Sequence, residues 1–114
     1  MNKDFTLHVK IWIEKNGKPV LGPGRLEILE AINRTQSLTD AAKFCQISFR
    51  KAWKLINEIN ESLEQPVVIS ERGGKGGGGQ TMLTEYGKKI IKQYQNIQKA
   101  VNNLIQDPKI WSDF

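Results

Sequence analysis

The sequence predicts a mainly α domain with a small β component, and three observations lead there. Apolar residues recur at helical spacing in four stretches between residues 25 and 106. Two short strand-like segments each meet a return segment across turn-forming residues, Asn16-Gly17 in one case and a glycine run ending at Gly79 in the other. The length, 114 residues with 39% hydrophobic and 25% charged, suits one soluble globular domain over 1–114 rather than a disordered chain.

From the N-terminus, Phe5, Leu7, Val9, Ile11 and Ile13 alternate with Thr6, His8, Lys10 and Glu14, a period of two that predicts a strand with one buried face. Trp12 breaks the alternation and is expected to be partly exposed. Asn16-Gly17 tolerates positive φ at both positions and predicts a tight hairpin to Pro19-Val20-Leu21, giving an N-terminal β-ribbon over 5–21 that Gly22-Pro23-Gly24 ends. Leu26, Ile28, Leu29 and Ile32 then mark a helix over 25–33, with Glu27 and Glu30 outside. After Arg34-Thr35-Gln36, Thr39 is the expected N-cap of a short helix, with Asp40 in its first turn and its end near Cys45.

Gln46-Ile47-Ser48 is a tight connection into a third helix over 48–63, so that 25–63 makes a three-helix unit. Phe49, Ala52, Trp53, Ile56, Ile59 and Leu63 form its apolar stripe, with Trp53 assigned to the core, and Pro66 stops it. Val67-Val68-Ile69 and Thr81-Met82-Leu83 are the arms of a second hairpin over 67–83. Thr84 caps a long helix over 85–106, in which Ile90, Tyr94, Ile97, Val101 and Leu104 repeat every three to four residues, the seam of a coiled-coil-like pairing. So long a seam has little to bury against inside so small a chain, and it predicts a homodimer held by those five residues. The tail around Trp111 has no assignable role.

Helix, short helix, tight turn, longer helix, hairpin is the order of a winged helix-turn-helix, and it predicts double-stranded DNA as the partner. The third helix must bury one face on the first two and present the other to the major groove. Its outer face begins with Ser48, Arg50, Lys51 and Lys54, and four basic residues but no acidic one fall between Ala41 and Asn57. Arginine pairs bidentately with guanine, and lysine does the same or neutralises phosphate. The whole chain carries 17 Lys and Arg against 12 Asp and Glu, a formal charge of +5. The stretch 72–80 is the expected wing: bare backbone approaches phosphate closely, and Arg72 and Lys75 add charge. Thr39 joins Ser48, Arg50, Lys51, Lys54, Arg72 and Lys75 as a DNA-binding candidate.

The glycine run has rival readings. Gly74, Gly76 and Gly79 formally fit a dinucleotide fingerprint, but a strand-like segment and not a helix follows them. Lys75 is followed by Gly76 and not by Ser or Thr, so the run is no Walker loop. An oxyanion-binding module, holding molybdate, tungstate or a phosphate on the loop and Lys75, is the alternative function. No nucleophile stands beside a base, and Glu58, Glu61 and Glu64 read as solvated helix residues, so no enzyme is expected. His8 is the single histidine and has no second ligand near it; neither a metal nor a cofactor is expected. RNA binding is disfavoured because the aromatics read as buried. The one cysteine, Cys45, reads as a small buried residue in a reducing compartment. No apolar span or signal segment is present, so a cytoplasmic protein with no membrane partner is expected.

The residues also carry a family resemblance. Gly24-Arg25-Leu26-Glu27-Ile28-Leu29-Glu30-Ala31-Ile32, Ser37-Leu38-Thr39-Asp40-Ala41-Ala42, Ile47-Ser48-Phe49-Arg50-Lys51-Ala52-Trp53, Gly73-Gly74-Lys75-Gly76-Gly77-Gly78-Gly79 and Leu83-Thr84-Glu85-Tyr86-Gly87 resemble the N-terminal DNA-binding domain of ModE-type molybdate-responsive regulators. That domain is similar in turn to the LysR-type winged helix-turn-helix. The resemblance implies DNA binding by a homodimer joined through its long helices, with Ser48, Arg50, Lys51 and Lys54 in the major groove and Lys75 on the wing. Full-length members carry C-terminal molybdate-binding domains; a sequence ending at Phe114 is expected to be a single-domain form whose small-molecule effector is unassigned.

Overall fold

The structure is a computed structural model and describes residues 4–71 and 79–114. Its first hairpin is set by its turn. Asn16 and Gly17 take φ of 53° and 81°, the geometry whose twist matches antiparallel strands, and join β1 (Ile13–Lys15) to β2 (Lys18–Leu21). The register pairs Lys15 with Lys18, Glu14 with Pro19 and, across a bulge, Ile13 with Leu21. The ribbon is shorter than the alternation predicts. Because β2 ends at Leu21, where the chain turns into a helix, residues 5–12 have no strand to pair with, and Phe5, Leu7 and Val9 stay exposed.

The first helix, α1 (Pro23–Thr35), starts two residues before the expected boundary at residue 25. Pro23 occupies the first turn, where its missing N–H is not needed. The helix ends on Gln36 at φ 53°, whose N–H bonds the Ile32 carbonyl at 2.8 Å. The cap of α2 (Leu38–Phe44) is Ser37 and not Thr39: Ser37 is extended, and its Oγ accepts from the Asp40 N–H at 3.1 Å. Thr39 already lies within the helix, where a side chain cannot cap. Gln46 then takes φ 57° and the Ile47 N–H returns to the Ala42 carbonyl at 3.0 Å. This closes the turn into α3 (Phe49–Ser62), capped by Ser48 through the Lys51 N–H.

Ile28, Leu29, Ala31 and Ile32 of α1, Ala41 and Ala42 of α2, and Ala52, Ile56 and Ile59 of α3 make the core, closed by Val20 and Leu21 on one side and Val67, Val68 and Leu83 on the other. Phe49 and Trp53 do not join it; both are exposed. The second hairpin pairs β3 (Val68–Glu71) with β4 (Gln80–Leu83) in a regular register from Val68↔Leu83 to Glu71↔Gln80. It is tied down at two places, its base and the middle of β4. The Asn60 side chain accepts from the Val67 and Val68 N–H groups at 2.8 and 3.3 Å and donates to the Val68 carbonyl at 3.0 Å. The Thr81 N–H bonds the Gln36 carbonyl at 3.2 Å.

The long helix, α4 (Glu85–Ile105), is capped by Thr84, which accepts from the Gly87 N–H at 2.9 Å and donates its hydroxyl to the Pro66 carbonyl at 2.7 Å. Gly87, Ile91 and Tyr94 bury the first half of α4. The Tyr94 hydroxyl reaches the Ile11 carbonyl at 2.7 Å and so holds the extended N-terminal segment. Further along, α5 (Pro108–Trp111) folds back: the Trp111 indole donates to the Ile105 carbonyl at 2.8 Å, and the Phe114 ring stands 6.1 Å from Phe5. The molecule measures 64 × 29 × 23 Å, with a radius of gyration of 17.4 Å. A compact domain of this length would have about 13 Å, so part of the chain is extended away from its own core. No helix among the described residues is long and apolar enough to cross a membrane.

Candidate nucleic-acid interface

Short-range bonds fix how α3 is presented. The left-handed Gln46 and the Ser48 cap turn the chain sharply between α2 and α3, and Ala52, Ile56 and Ile59 lock α3 to the core. One helical turn takes about 3.6 residues, so with Ala52 facing inward, Arg50 and Lys54 lie about 160° and 200° round and point away from the core. Arg50, Lys51 and Lys54 are all exposed, and none pairs with a carboxylate among the described residues. Ser48 is exposed beside them; its oxygen is used as a cap, which leaves the hydroxyl hydrogen free to donate. Thr39 is exposed on the first turn of α2, next to Phe49 and Trp53. All five sequence-predicted residues are exposed, but not on a single face: Arg50 and Lys54 point away from the core, Lys51 lies about 100° from Ala52 on one flank, and Thr39 stands beside Phe49 and Trp53 on the other. Arg72 and Lys75 lie outside the described residues, as does most of the glycine run on which the oxyanion alternative rests.

The far end of α3 differs. Glu58 is not merely solvated: it takes the Arg25 guanidinium at 2.6 Å and ties α3 to the start of α1. Spacing within a helix gives no sign of a pair 33 residues apart. Arg34 adds a cation near α2, its guanidinium 4.6 Å from the centre of the exposed Phe44 ring. Cys45 is half-buried; burial pushes its thiol above the ordinary range, the charge of Glu27 adds to this, and Arg34 opposes it. It is correspondingly a poor nucleophile.

Four of the five seam residues keep surface available. Ile90 and Val101 are partly buried, while Ile97 and Leu104 are exposed. Tyr94 departs from the expected seam: it is buried in the chain's own core, and burial raises its phenol above the ordinary value. Ile110 and Phe114 extend the exposed apolar surface past the seam, and the sequence gives no sign of this because α5 is too short to show a period.

No family model matches the chain. Individual relatives do. The DNA-binding transcriptional dual regulator ModE of Escherichia coli strain K12 is 39% identical over 89 residues, covering 75% of this chain and 34% of that protein. The molybdenum transport protein ModE of Azotobacter vinelandii is 38% identical over 78 residues, 68% of this chain and 28% of that protein. The molybdenum-pterin-binding protein MopB of Rhodobacter capsulatus is 39% identical over 85 residues, 75% of this chain and 31% of that protein. The chain thus spans about a third of the length of the relatives it matches. With a mainly helical fold, small antiparallel hairpins and a long C-terminal helix beside that similarity, the chain belongs to the ModE-type family of transcriptional regulators.

Proposed function

We propose that this chain is the sequence-specific, double-stranded-DNA-binding part of a molybdenum-responsive transcriptional regulator, that it acts in the cytoplasm as a homodimer, and that it is not an enzyme. The observation that carries the reading is the unpaired cationic start of α3, where Arg50, Lys51 and Lys54 project from a helix whose opposite face is locked into the core. An amphipathic helix held in this way and followed by a hairpin is suited to enter a major groove, the hairpin lying along the backbone beside it. Arg50 reads a base; Lys51, Lys54, Arg72 and Lys75 neutralise phosphates; Ser48 and Thr39 donate to the backbone.

The homodimer reading is supported by the exposed apolar surface of α4 and by the elongation of the single chain. A two-fold pair would place two α3 helices on half-sites about one helical turn, roughly 34 Å, apart. Replacing Ile97 and Leu104 together by aspartate should give a monomer by light scattering; an unchanged mass would remove the seam from the interface.

The deciding experiment is selection from a random duplex pool at two salt concentrations. Enrichment of a palindrome supports the reading. Salt-sensitive binding with no enriched motif would leave a domain that uses DNA only as a polyanion. Lys75→Ala should then weaken every sequence alike and reduce the salt slope by roughly one. Arg50→Ala should lose about 1–3 kcal/mol on the enriched site alone. Calorimetry with molybdate on the DNA-free chain tests whether the metal signal is received here.

A further inference from the structure

Two large aromatic side chains on α3 lie open where an apolar stripe would bury them: Phe49 is 53% and Trp53 55% exposed. They stand one turn apart on one flank. Measured round the helix from Ala52, Phe49 lies at about 60° and Trp53 at about 100°. Asn60 falls between them at about 80°, and its amide is bonded to Val67 and Val68 at the base of the second hairpin. The flank that carries the two rings is therefore the one that faces the wing. Both rings line a notch of about 340 Å³, completed by Thr39 at the start of α2 and by Ser70 and Thr81 on the hairpin. The one acid on its rim, Glu71, disfavours a phosphate seated inside. The Trp53 indole N–H has no partner among the described residues.

With α3 in a major groove and the hairpin on the backbone beside it, one DNA strand must pass between the two, over this notch. We propose that Phe49 and Trp53 pack against the deoxyribose faces of that strand and supply a contact that is apolar, indifferent to sequence and separate from phosphate pairing. The proposal rests on the DNA-binding reading given above and adds residues to it that the charge pattern does not mark. Its physical signature is distinct. Neutralising a phosphate releases counterions and steepens the dependence of affinity on salt, whereas covering a sugar with an aromatic ring releases none.

The test compares Trp53→Ala, Trp53→Phe and Lys54→Ala with the unaltered chain. Each is titrated with the enriched duplex and with a random one between about 50 and 200 mM salt. Trp53→Ala should bind both duplexes roughly ten- to a hundredfold more weakly with an unchanged salt slope, and Trp53→Phe should retain most of the affinity. Lys54→Ala should flatten the slope by about one unit. In a Trp12→Phe, Trp111→Phe background, Trp53 emission should change on addition of the random duplex, which reads the contact even if the alanine variant folds poorly. Unaltered affinity with unaltered emission overturns the proposal. So does a loss confined to the enriched sequence, which would make the rings base readers, and so does a slope change like that of Lys54→Ala. If the unaltered chain binds neither duplex, the DNA-binding reading itself fails.

Discussion

Replacing Gly87 with alanine should destabilise the fold by about 2–4 kcal/mol, although at an ordinary helix position the same change stabilises by about 0.5–1 kcal/mol. Gly87 has helical φ, so its backbone does not require glycine; the space does. An added Cβ would fall inside the carbonyl oxygen of Val67 and stand 3.0 Å from its carbonyl carbon and 3.1 Å from its Cα. These are backbone atoms, and they are held. The Val67 N–H is bound to Asn60 at 2.8 Å, the Val67 carbonyl accepts from the Thr84 N–H at 3.0 Å, and the Thr84 hydroxyl grips the Pro66 carbonyl at 2.7 Å. Ordinary contact needs the helix and this segment to separate by roughly 1 Å. That opens the two Thr84 bonds, each worth about 1 kcal/mol, on top of an overpacking cost of about 1–3 kcal/mol, and the helical preference of alanine returns about 0.5–1 kcal/mol of the total. Urea unfolding followed by circular dichroism measures the difference, and the thermal midpoint should fall by roughly 10 °C or more. A Gly87→Ala protein as stable as the parent would refute the reasoning, because it would mean that α4 and the hairpin base are free to slide.

Three further outcomes follow from other contacts. Asn60→Ala should cost about 1–3 kcal/mol in urea unfolding, since it leaves the Val67 and Val68 N–H groups without their acceptor. Glu58→Ala should destabilise more than Arg25→Met, by about 1–2 kcal/mol, because the first strands a guanidinium whose side chain is only 15% exposed while the second frees a carboxylate that is 39% exposed; equal effects in the same assay would contradict this. Burial raises the Tyr94 phenol above its ordinary 10.0, so the folded state holds that proton more tightly than the unfolded chain. The stability involved is complete below about pH 10 and is lost as pH climbs through the raised value. Tyr94→Phe should flatten this alkaline fall in a series of unfolding curves, and an identical fall in both proteins would remove Tyr94 as its source.

The helix-turn-helix was legible because its signals are local. Periodic apolar residues, Asn16-Gly17, Pro66 after α3 and Thr84 before α4 each act within a few residues, and the turns and helices stand close to where these place them. What the sequence concealed depends on distant partners. Ser37 and Thr39 are both capping residue types two positions apart, and only the extended backbone at Ser37 decides between them. The alternation from Phe5 to Ile11 needs a paired strand to become one, and β2 is too short to provide it. Asn60 and the Arg25–Glu58 pair join segments whose proximity exists only in the fold. No pattern within a single element reports such contacts.

An apolar period shows that a helix face avoids water; it does not show what covers that face. In α3 the period runs unbroken from Phe49 to Leu63, yet the chain's own core covers only Ala52, Ile56 and Ile59 fully. In α4 the same rule places Tyr94 in the seam, while the core takes it, with Ile91, and leaves Ile97 and Leu104 outside. The helices thus leave two groups of large apolar side chains exposed. One is the Phe49 and Trp53 flank beside the cations of α3; the other is Ile97 and Leu104 of α4, with Ile110 and Phe114 beyond it. A chain with a radius of gyration of 17.4 Å, against about 13 Å for a compact one, keeps such surface open at a cost in solubility that a surface with no partner would not offset. Under the two proposals made above, a DNA strand covers the first group and a second copy of the chain the second, and the salt slope of Trp53→Ala and the mass of the Ile97, Leu104 double variant test them independently.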